Sequence, residues 1–347
     1  MRDKSCLIWV AVAAFALSVS LNLYAGNRDR AGTAAAEELL IPVGGRDMAM
    51  GGASIATTTG IDAIFWNPAG LARTPYSADA MFFRFDYFAG INVNYVAIAG
   101  SFGKLGTAAI SFKSLEIGDI PITTEDAPDG TGAVLDPTFF IAGLNYSLLL
   151  TERISVGFNL KVINEDLTQA RVQGTGFAFS AGVQYKNAVG IRGLDLGIAV
   201  KNIGPQFGLD GEGLINRSEL EDARRGSGFT RIDARSEDLP STIDIGVSYT
   251  VNVNELNGVE FAGQFVNNNF RDDEARFGVE YNYDETFFLR GGFSSAPDAP
   301  DDTFIFGSTV GAGVNVNLTG LALRVDYTYM DVDFFDNLNA VSIKVGF

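Results

Sequence analysis

From about residue 76 to its end the chain repeats one unit, a run of roughly nine to twelve residues in which apolar and polar positions alternate before a turn. A period of two predicts β-strands whose two faces meet different surroundings. In LALRVDYTY, Leu321, Leu323, Val325, Tyr327 and Tyr329 share one face, while Ala322, Arg324, Asp326 and Thr328 share the other. ISVGFNLKV divides the same way, with Ile154, Val156, Phe158, Leu160 and Val162 opposite Ser155, Gly157, Asn159 and Lys161. IDIGVSYTVNV sets Ile243, Ile245, Val247, Tyr249 and Val251 against Asp244, Gly246, Ser248, Thr250 and Asn252. A soluble sandwich and a membrane barrel would both alternate in this manner, the first burying its apolar face and the second turning it to lipid.

Three features favour the barrel. The runs are long enough to cross a bilayer when tilted, whereas ordinary strands average about five or six residues. Aromatic residues crowd the run ends, as in MFFRFDYF, YNY, TFFL and YTYM, where ring side chains would sit at the headgroup level. The connections also alternate in length. Fourteen strands are expected, at 76–86, 91–102, 105–116, 138–149, 152–165, 171–186, 191–202, 241–252, 257–267, 274–283, 286–295, 303–316, 320–331 and 338–347. If the first rises from the periplasm, the segments 117–137, 166–170, 203–240, 268–273, 296–302 and 332–337 emerge outside. Those at 103–104, 151, 284–285 and 317–319 face inward and are short. Long outer loops and short inner turns are characteristic of outer-membrane barrels. The expected fold is therefore all-β: a membrane-spanning antiparallel β-barrel of about 14 strands, residues 76–347, with long outer loops near 117–137 and 203–240. Closure would leave no unpaired strand edge in lipid.

The N-terminus departs from this pattern. Arg2 and Lys4 precede the apolar run CLIWVAVAAFALSVSLNLYA, which predicts a signal peptide over residues 1–25 and hence export. Cys6, the single cysteine, lies in that run, so no disulfide is expected after processing. With 40 glycines and 27 phenylalanines but only 19% charged residues, the composition suits a chain that meets lipid. The formal charge of −17 argues against nucleic acid as a partner. Acidic residues concentrate in the expected outer loops. The chain has no histidine, the base on which hydrolytic barrel enzymes commonly rely. No catalytic residue, cofactor or metal site is expected, and no EF-hand spacing is present.

Residues 26–75 show no alternation and carry the stretch GGRDMAMGGASIATTTGIDAIFWNPAGLA. The glycines lack the spacing of a phosphate-binding loop. Small residues instead let a backbone pack in a confined space, Asn67-Pro68 favours a turn, and Phe65 and Trp66 are suited to anchoring it. The segment is expected to form a plug, or hatch, within the lumen, with a lead-in resting on the barrel rim as the alternative. Gly44, Gly45, Gly51, Gly52, Phe65, Trp66, Asn67, Pro68 and Gly70 are its candidate gate residues. In the long outer loop, Phe207, Leu209, Leu214 and Ile215 are candidates to line a ligand's way in. The closing VSIKVGF ends an alternating strand on Phe347; such an ending resembles the signal read by the barrel assembly machinery, although a girdle aromatic explains the same letter.

The plug sequence, with VKNIGPQFG, EDLPSTIDIGVSY, FGVEYNYDETFFLRGGF and RVDYTY further on, resembles the PorV/PorQ family of outer-membrane proteins, itself similar to FadL-type long-chain fatty-acid transporters. The resemblance spans nearly all of the processed chain. It implies a 14-stranded barrel with an N-terminal hatch in the bacterial outer membrane. At TTTGIDAIF the family usually carries an acidic pair, of which only Asp62 remains. Two functions follow from the resemblance: passage of a hydrophobic ligand, or docking of secreted proteins as a component of type IX secretion. The expected partners are outer-membrane lipid, the assembly machinery, and either a hydrophobic ligand or secretion-system components.

Overall fold

In the computed structural model, which describes residues 30–218, 228–300 and 303–347, the alternating runs become strands. The expected signal peptide, residues 1–25, lies outside the described residues. In chain order the strands are β1 Ala78–Asp86, β2 Asn92–Ser101, β3 Thr107–Glu116, the short pair β4 Ile120–Pro121 and β5 Val134–Leu135, then β6 Thr138–Leu149, β7 Ile154–Leu167, β8 Val172–Tyr185 and β9 Leu194–Ile203. A second short pair follows, β10 Ile215–Ser218 and β11 Gly228–Arg231. The remaining strands are β12 Thr242–Asn252, β13 Asn257–Asn268, β14 Glu274–Tyr283, β15 Phe287–Ser295, β16 Phe306–Leu318, β17 Leu321–Val332 and β18 Leu338–Gly346.

The four short strands form two hairpins in loops, β4 with β5 and β10 with β11. The other fourteen close into one antiparallel barrel, each beside its neighbour, with β1 sealing against β18 so that Asp79 faces Gly346 and Phe85 faces Ala340. The loop hairpins and the other long connections, including 203–241, lie at one end of the barrel, here the loop end. Short turns and Phe347 lie at the other.

Alternation sorts the side chains as their polarity demands. On β7, β12 and β17, Ser155, Asn159, Lys161, Asp244, Ser248, Asp326 and Thr328 are buried in the lumen. Their neighbours Phe158, Leu160, Ile243, Ile245, Val325 and Tyr327 are exposed on the outside. Ile110 is 61% and Leu289 62% exposed within a belt of such residues encircling the barrel. So large a continuous apolar surface is costly in water and favourable against acyl chains. No helix among the described residues is long and apolar enough to cross a membrane, and the crossing is made by strands.

β1 and β2 break the rule. Met81, Phe83, Phe85, Val93 and Tyr95 point inward and are buried, so this part of the wall is apolar on both faces. They pack against Ile61, Ile64, Trp66 and Leu71 of the N-terminal segment, which fills the lumen. That segment enters at the loop end, where Arg30 pairs with Asp238, and leaves at the turn end, where the Ser77 N–H donates to the Phe347 carbonyl.

Candidate functional site

The plug is irregular because its sequence has no period, and its main chain must find partners elsewhere. Short helical turns at Gly45–Ala49 and Ala63–Trp66 satisfy part of it. The wall supplies the rest through inward polar side chains. Thr328 Oγ1 donates to the Gly45 carbonyl at 2.6 Å and Thr309 Oγ1 to Ala49 at 3.0 Å. Gln184 Nε2 donates to Thr58 at 2.9 Å, Asn159 Nδ2 to Ile64 at 3.1 Å, and Ser147 Oγ to Ala69 at 2.9 Å. Within the plug, Trp66 Nε1 donates to the Val43 carbonyl at 2.8 Å.

Asn67 is the hinge of this arrangement. Wholly buried, it donates from Nδ2 to the carbonyls of Ile55 and Val183 at 2.9 and 3.2 Å, and its Oδ1 accepts from the Ala69 N–H at 3.2 Å. Pro68 then begins a helical turn over Pro68–Arg73, a position in which its missing N–H costs nothing. The remaining gate candidates are placed as follows. Gly44, Gly51 and Gly52 all have positive φ. Gly51 lies so close to β15 that a Cβ would stand 2.7 Å from the Phe293 nitrogen. Gly45 faces Asp326 and Ser342, and Gly70 sits against the Thr58 carbonyl. Phe65 and Trp66 meet edge to face.

The close fit depends equally on glycines of the wall. A Cβ on Gly157 of β7 would fall 2.2 Å from the Pro68 carbonyl, and one on Gly182 of β8 only 2.0 Å from Asn67 Oδ1. These residues were not singled out from the sequence. The visible signal was a glycine on the polar face of a strand, as in ISVGFNLKV, which has meaning only once the plug is known to press there.

Charges complete the contact on one side. Arg46 pairs with Glu280 at 3.1 Å, Glu260 at 3.3 Å and Asp47 at 2.9 Å, and Asp47 accepts from Thr58 Oγ1 at 2.8 Å. Arg290, wholly buried, joins Glu280 at 2.6 Å to Asp326 at 2.7 Å. Lys344 reaches Asp326 at 3.0 Å and Asp62 of the plug at 2.5 Å. The chain of alternating charges thus leaves the plug at Arg46, runs along β14, β15, β17 and β18, and returns at Asp62. In a site shielded from water each ion is held by its opposites, because an unpaired one would carry a large desolvation cost.

Above the plug, towards the loop end, lies a cavity of about 360 Å³. Its floor includes Met48, Gly51, Gly52 and Trp66; Tyr87, Ile91, Leu115, Phe139 and Phe306 form apolar sides, and Lys161, Lys201, Asn202 and Arg276 a polar one. A smaller void of about 30 Å³ adjoins it and shares Leu39, Phe65 and Lys161 as lining. On the lipid side of the wall, an apolar groove of about 530 Å³ runs over β2, β3, β6 and β7. Ser111 lines both this groove and the small inner void.

The loop candidates have separate environments. Phe207 folds into the lumen, buried against Gly174 and Gly176 of β8, and packs with Leu239, Ile163 and Leu39; Leu209 rests partly buried on the same cluster. Leu214 is half-buried and Ile215 exposed, both at the outer hairpin. Phe347 is exposed at the turn end.

No protein-family model matches the sequence, and no curated protein matches it. Among solved structures the chain is similar to the CymD monoaromatic hydrocarbon channel, with TM-score 0.52 and 13% identity over 89% of this chain and 98% of that one. It is similar to the Pseudomonas putida toluene transporter TodX, with TM-score 0.51 and 12% identity over 86% and 96%. A Pseudomonas aeruginosa FadL homologue gives 0.53 and 10% over 88% and 98%. At these identities the likeness is one of fold: a closed 14-strand barrel whose architecture this chain shares nearly end to end.

Proposed function

We propose that the protein sits in the bacterial outer membrane and takes up hydrophobic small molecules from the cell exterior. The observation that carries this reading is the 360 Å³ cavity with aromatic and aliphatic sides, inside a lipid-facing barrel and floored by the plug. Its volume lies at the lower end of the range for small-ligand sites, and apolar walls with a few polar groups are their usual lining. The similarity in fold to hydrocarbon channels agrees with it. A PorV/PorQ membership and FadL-like transport are the finer form of the same proposal.

Release past the plug requires motion of Gly44–Gly52, the stretch bound by Arg46 to Glu260 and Glu280. A sideways release avoids breaking those ion pairs. Between Ser111 and the lipid-side groove the wall is one strand thick, and Gly143 of β6 beside it has no side chain to add. We assign this sector as the exit, with Ser111 as its inner marker.

Purified protein in liposomes should bind apolar probes such as toluene or decane and admit them faster than empty liposomes do. Ser111→Trp should preserve binding and slow admission about tenfold or more, a change on the order of 1.4 kcal/mol in the barrier. Absence of binding across an aromatic and aliphatic panel, together with co-purification of secretion components, would replace uptake by the docking function. Unaltered admission by the Ser111→Trp variant would return the exit to the plug.

A further inference from the structure

We propose that residues 36–42 are an internal stand-in for the ligand: an amphiphile with an apolar tail and a hydrogen-bond-accepting head displaces them from Lys113 on its way into the cavity. The inference rests on the uptake reading and adds to it the class of ligand and the residue that admits it.

Lys113 of β3 is 4% exposed. A buried ammonium requires acceptors, and its nearest ones are the main-chain carbonyls of Glu38 at 2.6 Å and Ile41 at 3.0 Å. Neutral carbonyls are weaker partners for a cation than a charged oxygen, and so can be exchanged for a better one. The side chains of the same stretch behave as an apolar tail would. Leu39 is 2% exposed and packs with Ile141, Ile163 and Phe207. It also stands between the two inner voids, lining both, so that its withdrawal joins them beside Lys113 and Lys161.

The stretch is built to come away. Ala36, at its start, holds a left-handed φ of 54°, a conformation disfavoured for a residue with a Cβ. Strain of this kind is relieved when the segment is freed. Its outer anchorage is at the surface, where Ala35 N–H donates to the Asp238 carbonyl at 3.1 Å and Arg30 pairs with Asp238 at 2.6 Å.

The sequence makes the test clean. Cys6 and Trp9 fall in the expected signal peptide, so the processed chain has no cysteine and Trp66, on the cavity floor, as its one tryptophan. Leu39→Cys in liposomes is treated with a membrane-impermeant maleimide, with Trp66 fluorescence as an independent report of binding and of folding. Decanoate should raise the labelling rate at position 39 at least tenfold, while decane, which lacks a head, should raise it less than twofold. Lys113→Met in the same background should label rapidly without ligand. A disulfide between Ala35→Cys and Asp238→Cys should suppress Trp66's response to decanoate, and reduction should restore it. A Trp66 response to decanoate with unchanged labelling overturns the displacement and leaves uptake standing. Equal labelling with decane and decanoate overturns the role of the head. Silence of both reporters with every probe overturns the uptake reading and this one together.

Discussion

The plug is gripped by two kinds of wall. On the side of β13 to β18 the contacts are ionic: Arg46 and Asp62 of the plug belong to a buried chain of charges with Glu260, Glu280, Arg290, Asp326 and Lys344. On the side of β1 and β2 they are apolar, with Ile61, Ile64 and Leu71 against Met81, Phe83 and Val93. On β7 and β8 they are backbone to backbone, at Gly157 and Gly182. Ion pairs fix direction and register but tolerate no missing member, whereas apolar and glycine contacts fix distance alone. The charged side therefore sets where the plug sits, and the neutral side sets how closely.

The most severe way to break this division is to remove one charge. Arg290→Met leaves Glu280 and Asp326 without a shared partner, at an expected loss of about 3–5 kcal/mol, the cost of an uncompensated buried ion. Urea unfolding of the barrel in detergent micelles measures it. Adding Asp326→Asn to that variant should recover part of the loss, since it lowers the uncompensated charge. If the single and double variants unfold alike, the charges act independently and do not set register as a chain.

A milder test addresses spacing on the neutral side. Gly157→Ala places a Cβ 2.2 Å from the Pro68 main chain, which must move, at an expected loss of about 1–3 kcal/mol from overpacking. Gly291→Ala, whose nearest atoms lie 3.9 Å from the added carbon, is the matched control and should stay within about 0.5 kcal/mol of the parent. Conductance across planar bilayers should rise only in the Gly157 variant as the plug loosens. Equal behaviour of the two variants would show that close approach at β7 is dispensable.

The contrast between the two walls also explains what could be read from the sequence. The strands were legible because lipid outside and polar lumen inside impose a period of two; β6 and β14 begin and end where the alternation does. The plug's presence was legible from its lack of that period, and its turn from Asn67-Pro68. The ionic side was not, since Arg46 and Glu280 are 234 residues apart and become neighbours only through barrel closure. Nor was the apolar inner face of β1, where FFRF reads as aromatics for lipid although Phe83 and Phe85 are wholly buried inside. One strand sequence cannot state what occupies the lumen opposite it. The cavity is likewise a property of the gap left between plug and wall.

The weakest contact tests where the grip ends. Asp238, in the outer loop, has its carboxyl held below the ordinary 3.8, first by the hydrogen bond from Arg30 and then by that from Gln206. A carboxyl whose value is lowered by folding contributes fully above its unfolded value and loses that contribution as pH falls through the folded one. The pair should therefore hold the start of the plug at neutral pH and let it go only below pH 3.8. Both groups are near water, where screening leaves such pairs little strength, so labelling of Leu39→Cys should rise by about twofold on acidification. Arg30→Gln should show the faster rate at every pH and no acid step. A step of the same size in that variant would trace the pH response to the buried carboxylates of the charged wall, and would extend that wall's control to the outer end of the plug.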